Sequence, residues 1–425
     1  MIIPLDNAFD EHWIYVHRHQ KTGFNIIVRA QLDSNFTENQ VIQAVAALCR
    51  KHPYLLGKVV EDPSEREGYR FYLEISNEKA LSQKIEEVSS VEIETLMKQL
   101  SKRREYFFDI EKGELAHLQL WQNKEQCLLE FSCVHLLGDV TAVLLIVKDL
   151  LHYLDQSRNG VPSIEKPVQR LMFDEKRYGW EVEQQPILPL PLPENAPDNP
   201  DKWPPPEFLY GKYSFPLSQF NVIRQWLKDH QIEATVNDLF YYIASNLYSE
   251  VDEDDLNFSV VLSFRHLLKG GIEQNNVNTS VIFSLINMND IDAGNVRAWL
   301  NQLNATRKAA LSQHGIMGLI HFLRCLNAAL YEADEKTGRA LINTYLPIDL
   351  FAFNNFGKLD HIFDHTKNFN VTEIDIQDGV PCQEVRMFSF KGRLHMNPML
   401  SPKGPYTPEK FWQKFTSELK AILRG

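Results

Sequence analysis

Cysteine is scarce and unpatterned in this chain. The five residues, Cys49, Cys127, Cys133, Cys325 and Cys382, are odd in number, widely spaced and without a CxxC pair. That excludes a disulfide framework and a structural zinc site, and it points to a reducing, cytoplasmic compartment. Long apolar runs are missing too. The longest, AVLLIVKDLLHYL, is interrupted by Lys148 and Asp149, and a membrane span needs roughly 18–20 apolar residues. The opening MIIPLDNAFDEHW carries acid where a secretory leader needs base. Basic blocks are absent as well: KRRE at 102–105 is the densest cluster and reads as a solvated helix face. With a formal net charge of −12, the chain lacks the cationic surface that nucleic acid or an anionic membrane demands. Neither GxGxxG nor GxxxxGK(S/T) occurs, so no nucleotide-binding loop is expected.

What is present describes a globular protein. A length of 425 residues exceeds a single core, which stops growing at roughly 250–300 residues, so two domains are expected. Hydrophobic residues make up 44% of the chain, enough to bury sizeable cores and to exclude disorder. The composition shifts once, in PILPLPLPENAPDNPDKWPPPE at 186–207. Proline lacks a backbone donor and forbids helix, so this stretch is extended and semi-rigid. It fits either a ligand for a proline-recognising module or, near mid-chain, a linker between domains; the linker is the reading adopted. It separates an N-terminal α/β domain, 1–185, from a C-terminal α/β domain, 208–425.

In the first half, FNIIVRAQL reads as a strand. Asn35, with Glu38 three residues on, is placed to cap the helix that follows. GYRFYLEI, LAHLQLWQ and QCLLEFSCVH alternate as strands, the last two joined by an NKE turn. VEIETLMKQLSKRRE and TAVLLIVKDLLHYLDQ carry apolar residues at helical spacing. In the second half, YGKYSFPL, NFSVVLSFRHLL, VNTSVIFSLINM, LPIDLFAFNNFGKL and QEVRMFSFKGRLHMNPML read as strands. SQFNVIRQWLKDH, TVNDLFYYIASNLYS (capped by Thr235), VRAWLNQLNATRKAAL, IMGLIHFLRCLNAALYEA and PEKFWQKFTSELKAILR read as helices.

One polar cluster interrupts a greasy segment, FSCVHLLGDVT at 131–141. It lies between the end of a buried strand and the start of a helix. There an imidazole, His135, can point into a cleft, and its neutral form can accept a proton from a hydroxyl or amine near pH 7. Asp139, about one turn later, holds the loop in shape or orients the ring; the first role calls for a cationic partner, because a lone buried carboxylate is costly. Gly138 permits a tight turn. The same spacing also suits a satisfied buried histidine beside a helix-capping aspartate. A metal pair at i, i+4 is a third reading, but it lacks a third ligand nearby.

The segment resembles the active-site motif of the HxxxD acyltransferase superfamily, which includes the condensation domains of nonribosomal peptide synthetases and chloramphenicol acetyltransferase. The likeness runs along most of the chain. NIIVRAQLDSNFTENQVIQAVAALCRKHPYL resembles the family's opening strand–helix unit, with its histidine–proline pair. TVNDLFYYIA, VVLSFRHLL, FNNFGKLD and RLHMNPMLSPKGPYTPEKFWQKFTSELKAIL are similar to later family segments in the same order. The resemblance implies two chloramphenicol-acetyltransferase-like α/β domains in a V, with the active site in a tunnel between them. It implies a stand-alone, monomeric acyltransferase. A thioester donor, on coenzyme A or on a carrier protein's phosphopantetheine arm, would be substrate rather than bound cofactor. The acceptor would be a small-molecule alcohol or amine, and no metal is implied. His135 matches the catalytic histidine, Asp139 the structural aspartate, and Arg265 the arginine that pairs with it. Two positions depart from the condensation-domain pattern: Val134 stands where a first histidine would be, and Val140 where a glycine would be. These departures keep open a non-catalytic reading, a condensation-fold protein that docks a carrier protein or another enzyme.

Other residues carry weaker expectations. Asn354, Asn355 and Gly357 either line the tunnel or form a turn that uses Asn and Gly for backbone reasons. Thr279 and Ser280 lie in a strand that could face the cleft. His361 and His365 in DHIFDH have metal-like spacing but read as a solvated polar turn. His17 and His19 in VHRHQ alternate as on a strand facing solvent, and Cys133 reads as a small buried hydrophobe.

Overall fold

A computed structural model of the chain describes residues 1–6, 8–20, 25–62, 64, 69–76, 80–100, 107–163, 165–168, 170, 186–191, 208–249, 257–263, 281–287, 295–345, 351–377, 383–402 and 404–424. The expected Arg265, Thr279, Ser280, Cys382, the KRRE cluster and positions 192–207 of the proline-rich run lie outside the described residues.

The architecture is mixed α/β. In the first half, β1 (Ile2–Pro4) and α1 (Phe9–Gln20) precede β2 (Asn25–Leu32) and α2 (Glu38–Lys51). There follow β3 (Gly57–Glu61), β4 (Phe71–Ile75), β5 (Ser82–Glu87) and α3 (Ser90–Leu100), then β6 (Ala116–Gln122), β7 (Cys127–Val134) and α4 (Val140–Ser157). The second half begins with β8 (Leu209–Tyr210), β9 (Tyr213–Pro216), α5 (Ser218–Asp229), α6 (Val236–Ser249), β10 (Asn257–Ser263) and β11 (Val281–Asn287). Helices α7 (Val296–Ala310), α8 (Gln313–Glu332) and α9 (Glu335–Tyr345) lead to β12 (Phe351–Lys358) and α10 (Asp360–Phe363). The chain closes with β13 (Val371–Gln377), β14 (Gln383–Phe390), β15 (Arg393–Leu400) and α11 (Pro408–Ile422).

Two main sheets result. The first runs β13-β2-β7-β6-β5, and the second runs β11-β10-β12-β14-β15-β8, with β9 also on β15. A small third sheet, β1-β4-β3, stands apart. The first sheet draws its outer strand β13 from the second half, paired antiparallel with β2.

Strand alternation gives this sheet two unlike faces. One cross-strand row reads Ile374, Ala30, Leu129, Leu120, Ile85; it is apolar on all five strands and joins the core that contains α2 and α4. The adjacent row, on the other face, reads Asp375, Arg29, Glu130, Gln119, Lys84. Although polar, its members Asp375, Arg29 and Gln119 are buried. Arg29 donates from Nε to Glu130 at 2.6 Å and from Nη1 to Asp375 at 3.1 Å. Asp375 also accepts from the Tyr210 hydroxyl, which belongs to the second sheet. Burial pushes the Asp375 carboxyl up, but Lys212, Arg29, the Tyr210 hydroxyl and Arg386 outweigh it, and the net shift is downward. Arg386 on β14, fully buried, pairs with Glu384 and donates to the Ile376 carbonyl of β13 at 3.0 Å. A buried lattice of charges therefore joins the two sheets.

Two expectations are corrected here. The cap of α2 is Thr37, not Asn35. Thr37 accepts from the Gln40 amide at 3.3 Å and Gln40 returns a bond to the Thr37 amide at 2.9 Å. This capping box starts the helix two residues later, and the Asn35 carbonyl accepts from Arg158 instead. VHRHQ is not a solvent-facing strand. It is the last turn of α1, and both His17 and His19 are buried. The reason is tertiary: α1 packs on α8 and α9, with His19 bonded to the Leu330 carbonyl at 3.0 Å and Arg339 to the His19 carbonyl at 2.9 Å, while Phe107 stacks on the His17 ring with centroids 4.6 Å apart. Gly338 permits this approach, since a Cβ there would lie 2.3 Å from His19 Nδ1. Among the described residues no helix is long and apolar enough to cross a membrane.

Asp375→Asn removes one charge from a fully buried pair while keeping its shape. The substitution is expected to lower unfolding free energy by about 3 kcal/mol, the low end for breaking such a pair because Glu130 still meets Arg29. Urea denaturation checks it, and an unchanged midpoint would refute the structural weight given to this lattice.

Candidate active site

The motif turns between β7 and α4. β7 ends at Val134, opposite Asn25 of β2. Residues His135–Leu137 form one 3-10 turn, and Gly138 follows with φ 149°. That positive φ favours glycine, so the tight turn is made at this position. Asp139 then caps α4, accepting from the Ala142 amide at 2.9 Å. Val140 is already the first helical residue, and its φ is not positive. A valine at the glycine position of the condensation pattern therefore strains no backbone.

His135 is only 5% exposed. The Trp13 indole of α1 stacks on its ring, centroids 3.9 Å apart and planes at 18°. The cavity beside the imidazole, lined by Trp13, His17, Ile110, Val134 and Leu136, measures about 10 Å³, room for about one water. His135 Nδ1 is buried with no hydrogen-bond partner among the described residues. Burial drives the His135 pKa down to about 4, against the opposing pull of its own carbonyl and of Asp139. The ring is neutral at pH 7. A second imidazole, His12, is also driven down to about 4 by burial, which outweighs its bond to Asn327; the nearby His135 adds to the depression. His12 meets Asn327 of α8 at 3.2 Å, and Asn327 donates back to the Ala8 carbonyl at 2.9 Å. This exchange fastens α1 to the second half.

The sequence reading missed the group that holds the turn. Arg170 is buried and clasps Asp10 of α1 with both terminal nitrogens, at 2.8 and 2.5 Å. The same guanidinium donates to the Leu136 carbonyl, inside the His135 turn, at 2.8 Å. One cation thus ties the helix bearing Trp13 to the turn bearing the imidazole. Asp6 lies close by, its carboxyl pushed up by burial and by the Asp10 charge. Below the turn, His52 of the histidine–proline pair bridges Asp149 of α4, at 2.6 Å, and the Tyr54 hydroxyl. Lys51 also reaches Asp149, at 2.9 Å. An isolated arginine after α4 gives no sequence signal; Trp13 and His17, spaced four apart, would have signalled a shared helix face had α1 been recognised.

The remaining candidates stand elsewhere. Asn354 is buried in β12 and donates to Glu384 at 3.2 Å. Asn355 accepts from the Gly357 amide at 2.8 Å, and Gly357 has φ 74°, so this pair shapes the bulge where β12 shifts register on β14. None of the three lines the cavity at His135. Cys133 is fully buried and burial pushes its thiol well up, so no thiolate forms there. His365 meets the Lys148 carbonyl at 3.1 Å while His361 is exposed. Among the described residues no three His, Cys, Asp or Glu side chains could hold a metal ion.

Two predictions follow from this geometry. His12 and His135 both drop from 6.5 to about 4 on folding, so the unfolded chain binds more protons between those values. Their contribution to stability is complete above pH 6.5 and is lost as the pH falls toward 4, by about 3 kcal/mol for each ring at about 1.4 kcal/mol per pH unit. Urea midpoints at pH 7 and pH 5 should show the fall, and His12→Asn should flatten it. Arg170→Met strands Asp10 in a buried site and should cost about 3–5 kcal/mol, whereas the double change Asp10→Leu, Arg170→Met should cost less than either single. A double-mutant cycle in urea measures this coupling.

No family model matches the chain, and no curated protein matches it. Solved structures do. The condensation domain of the monacolin K polyketide synthase MokA superposes with a TM-score of 0.66 at 13% identity, covering 100% of this chain and 98% of that one. The first condensation domain of the CDA synthetase gives 0.63 at 11% identity, covering 100% and 95%. Polyketide synthase associated protein 5 from Mycobacterium tuberculosis gives 0.59 at 14% identity, covering 100% and 98%. Along its whole length, then, the chain has the chloramphenicol-acetyltransferase-like fold of the condensation domains.

Proposed function

We propose that this protein transfers an acyl group from a thioester, carried by coenzyme A or by a carrier protein, to a small-molecule amine or alcohol. The observation that supports it best is His135: a neutral imidazole at a strand end, on a turn clasped by Arg170, in a fold shared with condensation domains. In this reading the acceptor's N–H or O–H donates to the imidazole while its heteroatom attacks the thioester carbonyl. The carbon–sulfur bond breaks, the leaving thiolate takes the proton, and an amide or ester and a free thiol result. A ring with a pKa of about 4 is a weak base, so its role is to orient the acceptor and take the proton only as the new bond forms. Asp139 holds the start of α4, and Arg265 would supply its countercharge.

Substrates need more room than the present cavity of about 10 Å³. Turnover on this reading requires the Trp13 indole to leave the face of the imidazole. The same observation favours a second reading, in which the closed site does no chemistry and the fold docks a carrier protein or partner enzyme.

Purified protein supplied with acyl-CoA and acyl-carrier donors separates the two. Transfer by the wild type that falls about 10²–10⁴-fold in His135→Ala is the expected result. Equal turnover in that variant removes the assigned role. A wild type that binds a carrier protein but never turns over establishes the docking reading.

A further inference from the structure

A second cavity lies in the other half of the molecule, unconnected with the motif. It measures about 460 Å³ and opens between α5, the start of α6 and the middle of β12 and β14, at Asn355 and Met387. That volume falls within the roughly 300–1,000 Å³ of small-molecule sites. Its floor is apolar: Phe220, Leu227, Ile232, Phe240 and Met387 line it. Among the described residues its charged lining is wholly cationic. Arg224 and Lys228, one helical turn apart on α5, are both exposed at the cavity. Neither has an ion-pair or hydrogen-bond partner among the described residues. Asn355 donates from Nδ2 to the side-chain Oδ1 of Asn237 at 3.0 Å, which fixes the Asn237 side chain and leaves its NH₂ group as a donor.

The charge pattern is unusual for this chain. Acidic residues outnumber basic ones, 56 to 44, yet among the described residues no carboxylate lines this cavity. An Arg fork beside a Lys point charge matches a carboxylate's two oxygens, and the apolar floor beneath suits an aliphatic chain. We propose that the cavity binds a small amphipathic carboxylate, its head between Arg224 and Lys228 and its tail against Phe220, Phe240 and Met387. The site stands independently of acyl transfer at His135.

Octanoate is the probe, with octanamide as the neutral control of equal length. Calorimetric titration of the full chain is expected to show octanoate binding, with octanamide at least about tenfold weaker. Arg224→Gln combined with Lys228→Gln should weaken octanoate about 10- to 100-fold, the range for charge-assisted hydrogen bonds, and should abolish the salt dependence of binding. Both side chains are exposed, so the unliganded melting temperature should not move. Ala234→Trp, which fills the cavity from its wall, should abolish binding. No octanoate binding to the wild type, equal binding of octanamide, or full affinity in the double variant would each overturn the proposal.

Discussion

The Asp375 carboxylate has no exposed surface, and it lies between the Arg29 guanidinium of one sheet and the Tyr210 hydroxyl of the other. Taking such charges out of water costs several kcal/mol per ion unless every partner is in place. Strand β13 can therefore settle only in the register that pairs Asp375 with Arg29; a slip of one residue would turn the carboxylate into the apolar face and bring Ile374 or Ile376 into the charged row. That register fixes where the second half meets the first. Arg386 reinforces it from β14 through the Ile376 carbonyl. The lattice supplies specificity of arrangement, while the apolar rows on the opposite face supply the bulk of the favourable burial.

The candidate site repeats this logic on a smaller scale. Three segments distant in sequence converge on one imidazole: the end of β7, helix α1 and the segment at Arg170. Each contributes a different constraint. Gly138 and Asp139 bend the chain and start α4, Arg170 holds the turn by a carbonyl, and Trp13 covers the ring. The burial that keeps the imidazole uncharged also removes the space a substrate would need. Neutrality and access are thus opposed in this arrangement, and displacement of one aromatic side chain changes both together.

Local signals carried much of this into view before any coordinates. β6 and β7 were legible as short apolar-rich runs joined by a turn, although nearly all their residues are buried on both faces, and α4 by its helical spacing; the strand–turn–helix placement of His135 followed from them. The cap of α2 was misplaced by two residues because Asn35 and Thr37 are both good capping types, and only the Gln40 side chain decides between them. Helix α1 was misread in its last turn because VHRHQ alternates like a strand; α8, more than three hundred residues away, buries His19, and Phe107 stacks on His17. Asp10 and Arg170 were invisible for the same reason, since nothing local marks a pair separated by 160 positions. Asn355 and Gly357 marked a backbone irregularity, a bulge inside β12, but not that it lies away from the cavity at His135.

The partners Arg29 and Asp375 are 346 positions apart. During synthesis at about 5–20 residues per second, β2 leaves the ribosome on the order of half a minute before its outer neighbour exists. For that interval the nascent sheet presents an open row of amides and a guanidinium with half its counterions missing. Such an edge invites pairing with other chains until β13 covers it.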